Sequence, residues 1–592
     1  MNRLISGAEI VYKSLLRNNV RDVFAYSGGS IMPIIDKLYK SEINYYINSH
    51  EQNIGHAATG YAKSSNRTGV AIVTSGPGIT NIITPMLDAT NDSTPLVVIS
   101  GQVSKSAMGT NAFQEAPAIE LSKHVTKWSF QPQNAYELAE TIDRAFFIAN
   151  DKKKGAVHID IPKCVSSELI NDNTLNKSLE YQTNLHSSIF FDKNTVTPKL
   201  IENVTIKSAL NKINISKKPI IIVGQGCIPA TKLLTDFVNK SQIPVTTTIH
   251  GCGVLDEHHD MSLRWCGMHG YAPANYALQE ADCIIALGSR FDDRTTGNLA
   301  EYAPNAFKNE GIIHVNIEPS EINKVVKSHY NFNMDCGIFL KHALKHIKVK
   351  ERPNWNNTIK EWQNKYKFRF PMEKSTERLN MEYVLDSLYR NTLYKDVLFT
   401  TGVGNHQMQA YQFIKSQYPK KILSSGSLGV MGVSLPYSVG AQIAYPDKLV
   451  VAIDGDSSFN MTCTDMKTIK ENNLPIKIAI MNNNAQMMVT IWERLYFEER
   501  YTATINNNNP DFSLLAESYG IKGLKCDNYN DLEEKVKEFI EYDGPILCEF
   551  DIERDICLPL VGPGNALDDM ILPEEYNYNS AKYIVMDGLA PS

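Results

Sequence analysis

Short, unbroken apolar segments alternate with longer stretches of mixed polarity along nearly the whole chain. The apolar segments fall at 70–74, 96–100, 157–161, 220–223, 283–287, 312–317, 397–400, 449–453, 476–481 and 546–550. They lack polar alternation, as strands do when helices cover both faces of a parallel sheet. The opening stretch, MNRLISGAEIVYKSLLRNNVRDVFAY, reads as an amphipathic helix running into a strand. It has neither an apolar signal core nor a Ser/Arg-rich transit segment, so the fold is expected to start there. Polar stretches at 166–197 and 348–378 interrupt the rhythm and read as interdomain linkers. The predicted architecture is α/β, with three doubly wound parallel-sheet domains over 1–165, 198–347 and 379–555 and a C-terminal tail over 556–592. The run NNNNP at 506–510 reads as a loop.

Composition narrows the function classes. A chain of 592 residues, 43% of them hydrophobic, is too long for one core and must divide into several domains. Lys and Arg number 59 against 65 Asp and Glu, and the formal net charge of -6 leaves no basic surplus for nucleic acid or an anionic membrane. No apolar run approaches the roughly 20 residues of a membrane helix. The 10 Cys are scattered without CxxC pairing, which points away from zinc and disulfides and toward a reducing compartment, cytoplasmic as in bacteria or inside an encoding organelle. Small-molecule chemistry is the default that remains.

Candidate chemistry sits at strand ends, the edge of an open α/β sheet where ligands bind. In the third domain VVAIDGDSSFN and IKIAIMNNNAQ put Asp456 and Asn483 at two such ends, one strand–helix–strand crossover apart. A hard octahedral cation takes oxygen ligands and shares them with phosphates, so Asp456, Asn483 and a carbonyl near Ala485 could hold magnesium against a diphosphate. Gly-Asp-Ser alone is commonly a turn; the Asn pair at that interval favours the site. HEQNIGHAATGYA places Glu51 at a strand-to-helix transition, where an isolated Glu is ordinarily a cap or dipole partner, followed by small residues that admit a close neighbour. AIVTSGPGITNII turns at Gly76, Pro77 and Gly78, equally a plain strand–helix connection or a site wall of backbone amides. PIIIVGQGC carries Gly224, Gln225 and Gly226 after a strand, a weak dinucleotide signal by itself. Arg290 and Arg294 suit bidentate anion contacts, yet taken alone RFDDR is more readily a solvated, self-paired charge run.

Together these segments resemble one family. GDS followed by NN is similar to the thiamine-diphosphate motif. TTGVGNHQM, SSGSLGVMG, HEQNIGHAATGYA, GTNAFQE, VHIDIPKCV and the long stretch from WCGMHG to SRFDDRTTGNL resemble acetohydroxyacid (acetolactate) synthase large subunits, a likeness that covers nearly the whole chain. The resemblance implies thiamine diphosphate, Mg2+ and FAD. It assigns the cation to Asp456, Asn483 and the main chain of Ala485. The diphosphate segment becomes Val403, Gly404, Asn405, which stands where Gln is usual, and His406, joined by Gly429, Gly455, Ser457 and Met488. Met431, otherwise core filler, would bend the cofactor, and Glu51 would bond its pyrimidine nitrogen and make the ring's amino group basic. Gly29, Phe113, Gln114 and Lys163 fall in the catalytic channel, where Trp492, equally a core Trp, would select the second 2-oxoacid. Flavin contacts or site wall fall to Lys153, Gly224, Gln225, Gly226, Thr248, Ile249, Met268, His269, Gly270, Gly288, Ser289, Arg290, Asp292, Arg294, Asp335 and Asn316, the last where an acidic residue is usual. The flavin is structural on this reading, because carboligation has no net redox change.

The implied activity is decarboxylating condensation of pyruvate with a second pyruvate or 2-oxobutanoate, giving 2-acetolactate or 2-aceto-2-hydroxybutanoate, the first common step of branched-chain amino-acid synthesis. Glu51 and the cation site lie in different domains, which in this family come from different subunits, so a homodimer or homotetramer is implied. The family often has a separate valine-sensing regulatory small subunit. The channel departs from the family pattern at Ser27 for Pro, Ser30 for Ala, Ser104 for Pro, Asn111 for Asp and Met487 for Gly. Two alternatives therefore stand: a related enzyme with another acceptor, such as a sulfoacetaldehyde acetyltransferase, and a catalytically silent paralogue.

Overall fold

All ten apolar segments form strands, with ends shifted by no more than two residues. The computed structural model describes residues 4–171, 199–368 and 378–573. Among them are three six-stranded sheets, parallel throughout. The first runs, in spatial order, Asn44–Tyr46, Asp22–Ala25, Gly69–Val73, Leu96–Gln102, Ala156–Pro162 and Trp128–Phe130. The third repeats that winding with Ile422–Leu423, Val397–Thr401, Leu449–Gly455, Lys477–Asn482, Ile546–Asp551 and Lys522–Cys526. The central sheet is wound differently: Ser262–Trp265, Val245–Thr247, Pro219–Val223, Cys283–Leu287, Ile312–Val315 and Tyr330–Phe332. In that order the winding reverses between the domain's first and fourth strands, which opens a crevice beyond their carboxyl ends.

Two expectations are corrected. The stretch 348–378 is not linker throughout, because Pro353–Lys365 is a helix. Trp355, Ile359 and Trp362 recur at helical spacing, and Trp355 is buried in the central core with its indole N–H donated to the Pro219 carbonyl at 3.1 Å. The tail is likewise folded as far as residue 573. Leu560–Val561 pairs antiparallel with Met570–Ile571, Leu567 enters the central core, and the Val561 amide donates to the Met268 carbonyl at 2.8 Å. Of the other linker, Leu169–Asn171 pairs with Leu4–Ser6; its remainder from 172, and the tail from 574, lie outside the described residues. No helix among the described residues is long and apolar enough to cross a membrane.

The first and third domains meet along helices Glu51–Ser65 and Ser434–Ala444, whose backbones touch. A Cβ on Gly440 would fall 1.9 Å from the Ala57 carbonyl oxygen, and one on Gly60 would fall 2.5 Å from the Tyr437 backbone. Beside this seam, Asp88 and Asp92, one turn apart on a buried edge, reach the loop 424–427. Asp88 accepts the Ser425 hydroxyl at 2.6 Å and the Tyr437 hydroxyl. Asp92 accepts the Gly426 and Ser427 amides at 3.1 and 3.0 Å and Lys63 Nζ at 2.7 Å, with His250 Nε2 of the central domain at 3.1 Å. Burial opposes the Asp92 charge, but His250 and Lys63 outweigh it and hold the carboxyl well below the usual aspartate range.

A second buried carboxyl behaves oppositely. Glu382 lies in the first turn of the helix Met381–Thr392, where burial, then the neighbouring Asp555, push it up to about 7 against the Gln409 amide at 3.0 Å.

Asp92→Asn leaves Lys63 buried without its counter-charge and is expected to lower stability by about 3–5 kcal/mol; calorimetry should show an earlier transition, and an unchanged one would contradict the clasp. Glu382 favours its protonated form in the folded chain, so the stability it contributes is lost as pH rises from the ordinary value of 4.5 through about 7. Glu382→Gln should therefore melt above the parent at pH 8, with the gap closing toward pH 5.

Candidate active site

In the third domain the first and third strands lie side by side and deliver their following turns to one edge. Gly402, Val403 and Gly404 leave the first strand and lead into the helix Asn405–Phe413; Asp456 follows the third strand. The two turns interlock through small residues. A Cβ on Gly402 would fall 1.9 Å from Asp454 Oδ1, and one on Gly455 would fall 2.9 Å from His406 Nδ1. His406 Nε2 stands 3.3 Å from Asp454 Oδ1. Gly404 (φ +149) and Gly429 (φ +73) hold backbone that a larger residue would strain.

Asn483 follows the adjacent strand Lys477–Asn482, whose register pairs Met481 with Gly455, so the crossover brings Asp456 and the 482–485 turn together. The Asn509 amide spans them, 2.7 Å from Asp456 Oδ2, 3.3 Å from Asn482 Oδ1 and 3.2 Å from Asn484 Oδ1. Asn483 Oδ1 accepts the Ala485 amide at 3.1 Å. Ala485 pairs with Ile505 through the Asn484 carbonyl and the Gln486 amide, which leaves its own carbonyl out of the pairing. Burial raises the Asp456 pKa, and the Asn506 and Asn509 amides oppose the rise. One carboxylate, one side-chain amide oxygen and one free carbonyl form an all-oxygen set that fits a hard divalent cation. Among the described residues no group of three or more His, Cys, Asp or Glu could hold a metal elsewhere.

The central crevice opens into a cavity of about 770 Å³ walled by all three domains, a size suited to a large cofactor. Lys153, Gly224, Gln225, Gly226, Thr248, Ile249, Met268, His269, Gly288, Ser289, Arg290, Asp292, Arg294, Asn316 and Asp335 line it, and so do Val403, Gly404, Gly429, Met488 and Trp492. Gly224 and Gly226 bond the 287–288 backbone, and a Cβ on Gly224 would fall 2.2 Å from the Gly288 carbonyl oxygen. The floor is thus bare backbone. Ser289 is buried, and among the described residues its hydroxyl finds no partner; with the glycine floor it fits a dinucleotide. His269 is pushed down to about 4 by burial, against the Pro559 and Cys557 carbonyls, and is neutral at physiological pH.

Several lining residues already have protein partners. Arg290 donates to the Asn91 carbonyl at 2.7 Å and the Ser427 hydroxyl at 2.6 Å, so it joins domains, and the run also pairs within itself, Arg290 with Asp292 at 3.9 Å and Arg294 with Asp293 at 3.8 Å. Asp292 and Asp335 cap the helices Asp293–Thr296 and Cys336–His346, Asn316 bonds the Ser289 carbonyl, and Lys153 pairs with Glu321 at 2.8 Å. Gly270 lies outside the cavity, packed on Cys266.

The remaining candidates also lie off that cavity. Glu51 is the first residue of its helix and half-buried, with Oε2 accepting the Asn81 amide at 3.0 Å; His50 takes the capping role. Gly76 (φ +61) packs directly on Gln114, which is left-handed itself (φ +62), and the tip residue Phe113 is 89% exposed. Gly29 faces open space, Lys163 is exposed at the start of Lys163–Ser167, and Met431 is half-buried. Met461, Phe113 and Met32 are more than half exposed, with Val489 at 45%. Among the departures, buried Ser30 bonds the Ser75 amide and Thr74 hydroxyl, and Asn111 takes a left-handed turn (φ 59). Met487 is buried under Thr490, whereas Ser27 is exposed and Ser104 half-exposed. The roles of Asn81, Asn506 and Asn509 carried no motif signal beyond the asparagine run.

Comparison with known proteins agrees with the three-sheet fold. Residues 5–121 match the N-terminal TPP binding domain of thiamine pyrophosphate enzymes, 206–343 their central domain and 402–550 their C-terminal TPP binding domain. The chain is 40% identical to the mitochondrial acetolactate synthase catalytic subunit of Saccharomyces cerevisiae, over 96% of this chain and 84% of that one. It is 36% identical to the acetolactate synthase large subunit of Cyanidium caldarium, covering 96% and 97%, and 36% identical to the probable large subunit of Methanococcus aeolicus, covering 96% and 95%. Three parallel sheets, each matched by one domain of thiamine pyrophosphate enzymes, and identity sustained over almost the full length place this chain in the acetolactate synthase catalytic subunit family.

Proposed function

We propose that the protein binds thiamine diphosphate, Mg2+ and FAD and condenses pyruvate with a second pyruvate or with 2-oxobutanoate, releasing carbon dioxide. The observation that carries this reading is the shared cavity: Val403, Gly404, Gly429, Met488 and Trp492 of the third domain line the same space as the central glycine floor. Asp456, Asn483 and the Ala485 carbonyl would hold the cation against a diphosphate presented to Val403, Gly404, Asn405, His406, Gly455 and Ser457. The buried Asn405 Oδ1, which has no partner among the described residues, supports a polar ligand there.

When bound, thiamine diphosphate supplies the nucleophilic carbon and the electron sink for decarboxylation. Glu51 holds and returns a proton at a carboxyl oxygen, oriented by the Asn81 amide, which leaves the other oxygen for the ring nitrogen. Met431 would hold the cofactor bent, and Gly29, Phe113, Gln114 and Lys163 would enclose its reacting end. Trp492, stacked on Tyr496 at 5.7 Å, gives the second substrate's alkyl group an apolar wall. One methylene in such a pocket discriminates by about 1–3 kcal/mol, which grades the two acceptors without excluding either.

The central crevice would hold FAD as a structural group, since the reaction has no net redox change. Exposed Met32, Phe113 and Met461 support a homodimer or homotetramer in which Glu51 of one protomer serves the cation site of its partner. The relatives' names, catalytic subunit and large subunit, support a separate regulatory chain. The ten free cysteines suit a reducing compartment, cytoplasmic or organellar, and the yeast relatives are mitochondrial.

Purified protein given pyruvate, with and without 2-oxobutanoate, should form acetolactate and the mixed product; Glu51→Gln should lose at least ~100-fold, and equal rates would refute the role of Glu51. Flavin should be released on denaturation. Gly288→Ala, whose Cβ would fall 2.6 Å from Gly226 Cα at φ +62, should purify without it; a full flavin complement in that variant would move FAD out of the crevice.

A further inference from the structure

The asparagine run 506–509 turns two residues inward and two outward. Asn506 and Asn509 are half-buried; Asn507 and Asn508 are exposed. Both inward side chains donate to the same atom, Asp456 Oδ2, each at 2.7 Å. Asn506 also reaches Ser457 Oγ at 2.6 Å. Asn509 does more: its amide nitrogen meets Asn482 Oδ1 and Asn484 Oδ1, and its oxygen accepts from Asn460 Nδ2 at 3.1 Å. An amide nitrogen carries only two hydrogens, so three acceptors hold it between them. The segment cannot drift away freely, because the Asn506 amide donates to the Asn484 carbonyl at 2.9 Å and the Gln486 amide to the Thr504 carbonyl at 2.8 Å.

We propose that Asn509, supported by Asn506, is a positioning residue for the cation. It holds Asp456 by one carboxylate oxygen and ties to it the turn that carries Asn483 and Ala485, so that three ligands from two strand ends are presented together. Partners behind the ligands of a metal site commonly change its affinity by roughly 10–100-fold when removed. This inference rests on the assignment of the cation to Asp456, Asn483 and Ala485 made above.

The full chain, stripped of metal by a chelator and supplied with thiamine diphosphate, is titrated with Mg2+ by calorimetry, and each metal-free variant is melted in parallel. Asn509→Ala should raise the apparent Mg2+ Kd by about 10–100-fold, Asn506→Ala should raise it less, and Asn507→Ala should not change it. Melting of the metal-free Asn509→Ala protein should match the parent. Unchanged Mg2+ affinity in Asn509→Ala, whatever its melting, overturns the proposal. If that variant loses both affinity and stability, Asn506→Ala decides: weakened Mg2+ binding at parental melting supports positioning, and parental binding overturns it. A parent chain that takes up no Mg2+ overturns the cation assignment itself.

Discussion

The junction of the three domains depends on two carboxylates. Asp88 and Asp92 reach from the first domain into the loop 424–427 of the third and capture its Ser425 hydroxyl and its Gly426 and Ser427 amides. Lys63 bridges Asp92 to the Ser424 carbonyl, and Arg290 of the central domain bonds both Asn91 and Ser427. Buried charges of this kind contribute little net stability, because desolvation offsets most of the attraction. Their effect is registry: a clash-free alternative docking would have to leave several charges and amides unmatched. Gly426 shows how tight the register is, since a Cβ there would fall 2.2 Å from the His250 ring. The same loop runs on into Gly429 and the cavity wall, so the clasp that joins the domains also sets the shape of the site.

The two outer sheets share one winding, and their turns occupy equivalent places. Gly28 and Gly76 stand after the first and third strands of one; in the other, Gly402 follows the first strand and Gly455 ends the third. At each position a Cβ would press on a neighbouring segment: Gly28 on Thr74, Gly76 on Gln114, Gly402 on Asp454, Gly455 on His406. Small residues at these crossings let polar turns from separate strands meet at one edge. The central sheet, wound in the other order, does the same with Gly224 and Gly288, which meet between its first and fourth strands.

Much of this was legible in the sequence because buried parallel strands advertise themselves as uninterrupted apolar runs. Edge strands did not. Lys522–Cys526 and Asn44–Tyr46 face solvent on one side, and Ile422–Leu423 is only two residues long, so their pairing depends on neighbours that no local pattern reveals. The helix Pro353–Lys365 hid in a polar stretch because three apolar residues on one face suffice to dock it. Asp456 and Asn483 could be placed at neighbouring strand ends because their spacing encodes one crossover. The Asp92 clasp and the Asn509 bridge could not be read, since each joins segments hundreds or tens of residues apart through side chains that are unremarkable in isolation.

Charge at the third sheet's edge favours a cation shared with an anionic ligand over either one alone. Asp456 is buried and bonded to neutral amides from Asn506 and Asn509, and among the described residues no lysine or arginine bonds its carboxylate. A diphosphate entering beside a lone buried carboxylate would meet repulsion in a medium where charges are poorly screened. A divalent ion reverses the sign of that interaction, because one carboxylate leaves most of its charge for the phosphates; a second carboxylate at Asn483 would neutralise the ion before the ligand arrived. The asparagines at 482–484 and again at 506–509 thus surround the Asp456 carboxylate with neutral oxygens and donors, which fix geometry without adding charge.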